Sequence, residues 1–122
     1  MNKKNIIILI ILILVVAAIT GFFIKNKPGT GKEGIILYYG AECPHCVKVE
    51  DFIKANKIAE KVSFVEKEVS YNQINAADLG KKAASCGLAT NSIGVPFLWD
   101  GSRCITGDID VINFFRQKAG IN

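Results

Sequence analysis

Two cysteines lie three residues apart in the sequence Cys43-Pro44-His45-Cys46. In a Cys-x-x-Cys motif at the start of a helix, the unpaired backbone N–H groups and the helix dipole favour the thiolate over the thiol. The second cysteine lies one helical turn further on, so it can attack a mixed disulfide formed at the first. The pattern predicts thiol–disulfide exchange, with Cys43 as the exposed nucleophile and Cys46 as the more buried resolving thiol.

The two residues between the cysteines fit the same centre. Pro44 suits a first helical position, because its missing N–H is not needed there. His45 is the only histidine in the chain, and it can donate a hydrogen bond or a positive charge to the Cys43 thiolate. We expect both to be catalytic; the alternative for His45 is an ordinary exposed residue of the first turn.

Other uses of these cysteines fit less well. Structural zinc normally requires a second pair at short spacing, whereas Cys86 and Cys104 are 18 residues apart. A c-type haem attachment requires histidine after the second cysteine, where Val47 stands. We expect no metal and no cofactor, and keep a thiolate site for a soft metal such as Cu(I) or Zn as an alternative function.

Cys86 and Cys104 themselves allow two interpretations. A structural disulfide would fit an oxidising compartment. Separate cysteines would act as small buried hydrophobic residues, one at a helix end and one in a strand. We favour separate cysteines, and the Cα separation decides, because a disulfide needs about 4.4–6.8 Å.

The remaining patterns place the motif in an α/β domain. Apolar or alternating runs predict strands over 35–39, 62–69, 96–99 and 103–105, and helical spacing predicts helices over 44–56, 72–86 and 108–118. Cys43 then lies at the junction of the first strand and the first helix. The order β-α-β-α-β-β-α predicts a mixed sheet flanked by helices.

The chain before this domain has a different composition. Ile6 to Ile24 are almost wholly apolar, and a helix of that length reaches roughly 28 Å, close to the thickness of a bilayer core. We therefore predict that residues 1–25 are an N-terminal membrane anchor of the uncleaved signal-anchor type. The alternative is a signal peptide that is cleaved off. Residues 26–34 have the composition of a flexible linker, and residues 35–122 form the domain.

The net charge of +4 belongs to the N-terminal region. Residues 1–32 carry five lysines and no acid, whereas the rest carries ten basic and eleven acidic residues. The domain has no basic stripe, so we expect no nucleic-acid partner. Two lysines precede the apolar segment and three follow it, so charge does not set the orientation. The redox motif favours a single-pass protein of the cell membrane with an extracytoplasmic domain.

A family resemblance adds to these inferences. The run from Ile35 to Cys46 resembles the opening of glutaredoxins and other thioredoxin-like proteins. Gly94-Val95-Pro96 stands in place of the family's Thr-Val-Pro loop, and Thr106-Gly107-Asp108 lies near its Gly-Gly-x-x-Asp segment. The resemblance covers residues 35 to about 119. It implies a thioredoxin-like fold, a cis Val95–Pro96 peptide beside Cys43, and substrate binding by these six residues, with the Val95 backbone pairing with a substrate peptide.

The chain also departs from the family. The glutaredoxin lysine before the first cysteine is absent, since Gly40, Ala41 and Glu42 stand there, and Thr106-Gly107 replaces the double glycine. Leu37 occupies the place of the buried acid of thioredoxins. The Pro-His dipeptide is similar to that of bacterial extracytoplasmic disulfide oxidases of the DsbA kind, whose centres are oxidising.

These features together predict a membrane-anchored thiol–disulfide oxidoreductase whose partners are protein thiols and disulfides. Glutathione and a membrane redox protein are further candidate partners. The alternatives are a glutathione-linked, glutaredoxin-type reductase facing the cytoplasm and a membrane-tethered, thiolate metal-binding module.

Overall fold

The structure is a computed structural model that describes the backbone of residues 1–25 and 34–122 and the side chains of residues 1–18 and 34–122. The chain divides into two compact units, Met1–Gly31 and Lys32–Asn122. The predicted linker, apart from Gly34, lies outside the described residues.

The described residues of the first unit, 1–25, form the helix α1 (Lys3–Lys25). Its apolar side chains from Ile6 to Val16 are all exposed, each by at least 40%. No helix within the described residues is long and apolar enough to cross a membrane. The predicted apolar span, Ile6 to Ile24, continues past Ala18 into residues whose side chains lie outside the described part.

The second unit contains the predicted strands and helices in the predicted order. They are β1 (Ile35–Tyr39), α2 (Pro44–Ala55), α3 (Ile58–Lys61), β2 (Phe64–Glu68), α4 (Gln73–Ser85), β3 (Phe97–Trp99), β4 (Cys104–Thr106) and α5 (Asp108–Lys118). The short helix α3 is additional, and it explains why β2 begins later than predicted. Val62 is buried, and its N–H donates to the Ile58 carbonyl at 2.8 Å, so it ends α3 instead of starting the strand.

The four strands form one mixed sheet in the order β2-β1-β3-β4. β1 pairs parallel with β2, and the crossover between them contains α2. β3 pairs antiparallel with both β1 and β4. This mixed sheet flanked by helices matches the thioredoxin-like fold that the resemblance implies.

The central strand β1 is buried on both faces. Ile36 and Tyr38 pack in one cluster with Leu79 of α4, whereas Leu37 packs in another with Val49 of α2 and residues of α5. Successive side chains of a strand point to opposite faces, so helices cover the sheet on both sides. This explains why β1 is a continuous apolar run instead of an alternating one.

Cys86 and Cys104 form a disulfide, with their Cα atoms 6.2 Å apart. The interpretation of them as separate cysteines was therefore wrong. Cys86 is the C-cap residue of α4, and Cys104 is the first residue of β4. The end of that helix and the start of that edge strand meet only after α4 packs on the sheet, so the spacing of 18 residues does not reveal their proximity.

Candidate active site

Cys43 is the N-cap residue of α2, with extended backbone dihedrals. Its Sγ accepts a hydrogen bond from the Cys46 N–H at 3.1 Å. Its carbonyl accepts from the N–H groups of Cys46 at 3.0 Å and Val47 at 3.1 Å. Pro44 follows at the first helical position, as predicted. The sulfur of Cys43 therefore lies at the positive end of the helix, where an N–H donor stabilises a thiolate.

Cys43 and Cys46 are joined by a disulfide, and their Cα atoms are 5.2 Å apart. Cys46 is only 2% exposed, whereas Cys43 is half-buried. An incoming thiol therefore reaches Cys43 more readily than Cys46. This difference in burial agrees with the predicted roles of nucleophile and resolving thiol.

A second segment lies directly against the Cys43 sulfur. The Val95–Pro96 peptide is cis, and the Val95 carbonyl oxygen is 3.4 Å from the Cys43 Sγ. The Gly107 N–H donates to the Pro96 carbonyl at 3.0 Å, which ties this segment to the residue before α5. Both the cis bond and its position beside Cys43 agree with the prediction from the family resemblance. The pairing of Val95 with a substrate stays a prediction.

A groove of about 230 Å³ opens beside this segment. Its lining includes all six residues predicted to bind substrate together with His45, namely His45, Gly94, Val95, Pro96, Thr106, Gly107 and Asp108. The residues come from α2, from the segment before β3 and from the junction of β4 with α5. The structure thus brings the predicted binding residues together; their role in binding stays a prediction.

His45 is paired with Asp108. The His45 Nδ1 is 3.2 Å from the Asp108 Oδ2, and the Lys48 Nζ lies 3.2 Å from the same oxygen. The hydrogen bond from His45 lowers the pKa of Asp108, burial opposes that shift, and Lys48 adds to it. The predicted contact between His45 and the Cys43 thiolate remains a prediction.

Sequence analysis missed two residues that shape this site. Lys48 lies three positions after His45 on α2, and this helical spacing, which places both on one face, was the available signal. Gly40 gave no signal. A Cβ there would lie 3.0 Å from the Ser70 Oγ and 3.3 Å from a Val95 methyl group. Both distances are shorter than ordinary van der Waals contacts, so a side chain at position 40 would press on Ser70 and Val95.

No group of three or more histidine, cysteine, aspartate or glutamate side chains in the described part of the chain could hold a metal ion.

The chain matches no protein-family model and no curated protein sequence. It is similar to the crystal structure of a mutant of the thioredoxin-like protein BC3987. The identity is 23%, the match covers 68% of this chain and 95% of that chain, and the TM-score is 0.49.

Proposed function

We propose that the domain is a thiol–disulfide oxidoreductase that acts through the Cys43–Cys46 couple. The observation that carries this proposal is the setting of the Cys43 sulfur. The sulfur accepts a hydrogen bond from the Cys46 N–H at the start of α2 and lies next to the Val95 carbonyl oxygen, whereas Cys46 itself is buried. A buried structural disulfide would need neither a partly exposed cysteine such as Cys43 nor the adjacent groove.

The geometry supports a two-step exchange. A substrate thiolate attacks the Cys43 Sγ, the Cys43–Cys46 bond breaks, and Cys46 leaves as a thiolate. A second substrate thiolate then attacks the substrate sulfur of the mixed disulfide and releases the Cys43 thiolate. Two electrons pass from the substrate dithiol to the protein, and the released protons go to the protein thiolates or to solvent. The reverse sequence reduces a substrate disulfide.

Single cysteine replacements test this assignment in the full chain. Cys43→Ser should reduce exchange with a dithiol to the background rate, because the accessible sulfur is lost. Cys46→Ser should instead accumulate a mixed disulfide at Cys43, detected by mass. The matched control is Cys86→Ala with Cys104→Ala, which should still form and exchange the Cys43–Cys46 disulfide, because both sulfurs of the couple remain. Undiminished exchange by Cys43→Ser would overturn the proposal.

We infer further that the substrates are protein thiols outside the cytoplasm. The Cys86–Cys104 disulfide supports this compartment, because such bonds persist where thiols are oxidised. The apolar segment that starts at Ile6 would hold the domain at the membrane. A membrane-impermeant thiol reagent should label a reduced Cys43 in intact cells as completely as in lysed cells. Labelling only after lysis would place the domain in the cytoplasm instead.

The two alternatives make different demands on the same residues. A glutathione-linked reductase would use Asp108 for the substrate, but its carboxylate already meets His45 and Lys48. Rapid reduction of the couple by glutathione would favour that function. A thiolate metal site needs free sulfurs, and stoichiometric Cu(I) or Zn lost on replacing Cys46 would favour it.

A further inference from the structure

Asp108 connects the first turn of α5 to the first turns of α2. Its Oδ2 lies 3.2 Å from both the His45 Nδ1 and the Lys48 Nζ. The Asp108 side chain is only 15% exposed, whereas the side chains of its partners, His45 and Lys48, are each more than 60% exposed. The carboxylate is therefore largely buried and already paired with these two side chains, although Asp108 lines the groove.

We propose that Asp108 is a positioning residue that fixes the orientation and tautomer of His45, an inference that rests on the proposed function. At 3.2 Å the His45 Nδ1 is within hydrogen-bond distance of the Asp108 Oδ2, and a carboxylate that accepts from one ring nitrogen holds the proton on that nitrogen. With Nδ1 occupied, Nε2 is the nitrogen that His45 offers to the groove. Asp108 thus acts through His45 and does not bind the substrate itself.

This arrangement gives the exchange reaction a proton acceptor. The neutral ring with a proton on Nδ1 has a free lone pair on Nε2, which takes the proton of a substrate thiol in the groove. The resulting thiolate attacks the Cys43 Sγ, the disulfide breaks, and Cys46 leaves as a thiolate that recovers the proton from His45 or solvent. Leu37, 1% exposed and packed in an apolar cluster with Val49, supplies no acceptor.

The competing explanation is that Asp108 only ties α2 to α5. Nuclear magnetic resonance of the imidazole nitrogens separates the two, and His45, the only histidine, is assigned without ambiguity. In the full chain, the neutral wild-type ring should carry its proton on Nδ1. Asp108→Ala should shift it towards Nε2, the form that unpartnered histidines prefer. Asp110→Ala, the matched control in the same helical turn and exposed, should leave the tautomer unchanged.

Kinetics supply the second readout. Asp108→Ala should slow exchange with a dithiol by about tenfold, the effect of one lost hydrogen bond. Asp108→Asn should recover part of the rate, because its amide oxygen still accepts from Nδ1–H. In a His45→Ala background, Asp108→Ala should add less than about twofold, because coupled residues are not additive.

Two outcomes would overturn the role of Asp108. One is an unchanged His45 tautomer in Asp108→Ala. The other is that Asp108→Ala slows exchange as much in the His45→Ala background as in the wild type. If the wild type does not exchange dithiols at all, the proposed function fails, while the tautomer measurement still decides whether Asp108 positions His45.

Discussion

At the scale of single residues, a partly buried polar contact lies on the face of the sheet that α4 covers. The Tyr38 hydroxyl, on a residue with 0% exposure, donates to the Asp78 Oδ2 at 2.7 Å. Lys67 donates to the same oxygen. Burial alone would raise the pKa of Asp78 above its ordinary 3.8, but the hydrogen bonds from Lys67 and Tyr38 lower it. The burial of Tyr38 raises the pKa of its hydroxyl, and the hydrogen bond to the Asp78 carboxylate raises it further.

We predict that Asp78→Asn lowers the free energy of unfolding at neutral pH by about 1–3 kcal/mol, because Tyr38 and Lys67 lose a charged partner. It should also flatten the acid dependence of stability. A carboxyl whose pKa is lowered by folding stabilises the protein above its unfolded pKa, and this contribution is lost as the pH falls through the folded value. The window therefore begins near pH 4 and extends below it. Urea unfolding between pH 7 and 2.5 measures both effects.

Asp51→Asn is the matched control for Asp78→Asn, since Asp51 is exposed on α2. It should change stability by less than about 0.5 kcal/mol and keep the wild-type acid dependence. If Asp78→Asn loses as much stability below pH 4 as the wild type does, another carboxyl is responsible for the acid dependence. Glu68, Asp100 and Asp108 also have lowered pKa values, so part of the dependence should remain.

At the scale of secondary-structure elements, the site depends on the close approach of three connections. The turn after β1 is held to the β2–α4 connection by the Ala41 N–H, which donates to the Ser70 Oγ at 3.2 Å. The same turn faces Val95 before β3. Gly40 lies where these connections meet, so the size of its side chain controls their separation.

Gly40→Ala should destabilise the domain by about 1–3 kcal/mol, because the new methyl group would press on Ser70 and Val95. It should also slow exchange, since Val95 lies against the Cys43 sulfur. Thermal unfolding and dithiol exchange measure the two effects.

Gly80→Ala is the control for Gly40→Ala and should act in the opposite direction. Gly80 lies inside α4, and a Cβ there would meet no heavy atom within 4 Å. Alanine in a helix interior is favoured over glycine by about 1 kcal/mol. Equal destabilisation by both replacements would contradict the close approach at Gly40.

At the scale of the whole domain, the Cys86–Cys104 disulfide connects a helix that packs on the sheet with a strand of the sheet. It joins the end of α4, which covers one face, to the edge strand β4. The chain between the two cysteines contains Gly94, Val95 and Pro96. The bond therefore limits the freedom of the segment that lies against Cys43.

Replacing both Cys86 and Cys104 by alanine should lower the free energy of unfolding by about 3 kcal/mol, the value expected for a loop of this length. This corresponds to a fall in Tm of roughly 12–24 °C for a domain of this size. When both proteins are measured in excess dithiol, the wild type should approach the stability of the variant. A variant as stable as the oxidised wild type would show that this bond does not contribute to stability.

The sequence by itself determined what depends on near neighbours along the chain. The cysteine pair, Pro44 at the first helical position, the apolar run of β1 and the order of elements all follow from spacing within a turn or a strand. The resemblance to thioredoxin-like proteins added the cis peptide at Pro96. Only the tertiary structure decided that His45 faces Asp108, that Gly40 lies close to Ser70 and Val95, and that Cys86 bonds to Cys104. Those contacts join residues 18 or more positions apart, and helix packing and strand pairing set their distances, which no local pattern encodes.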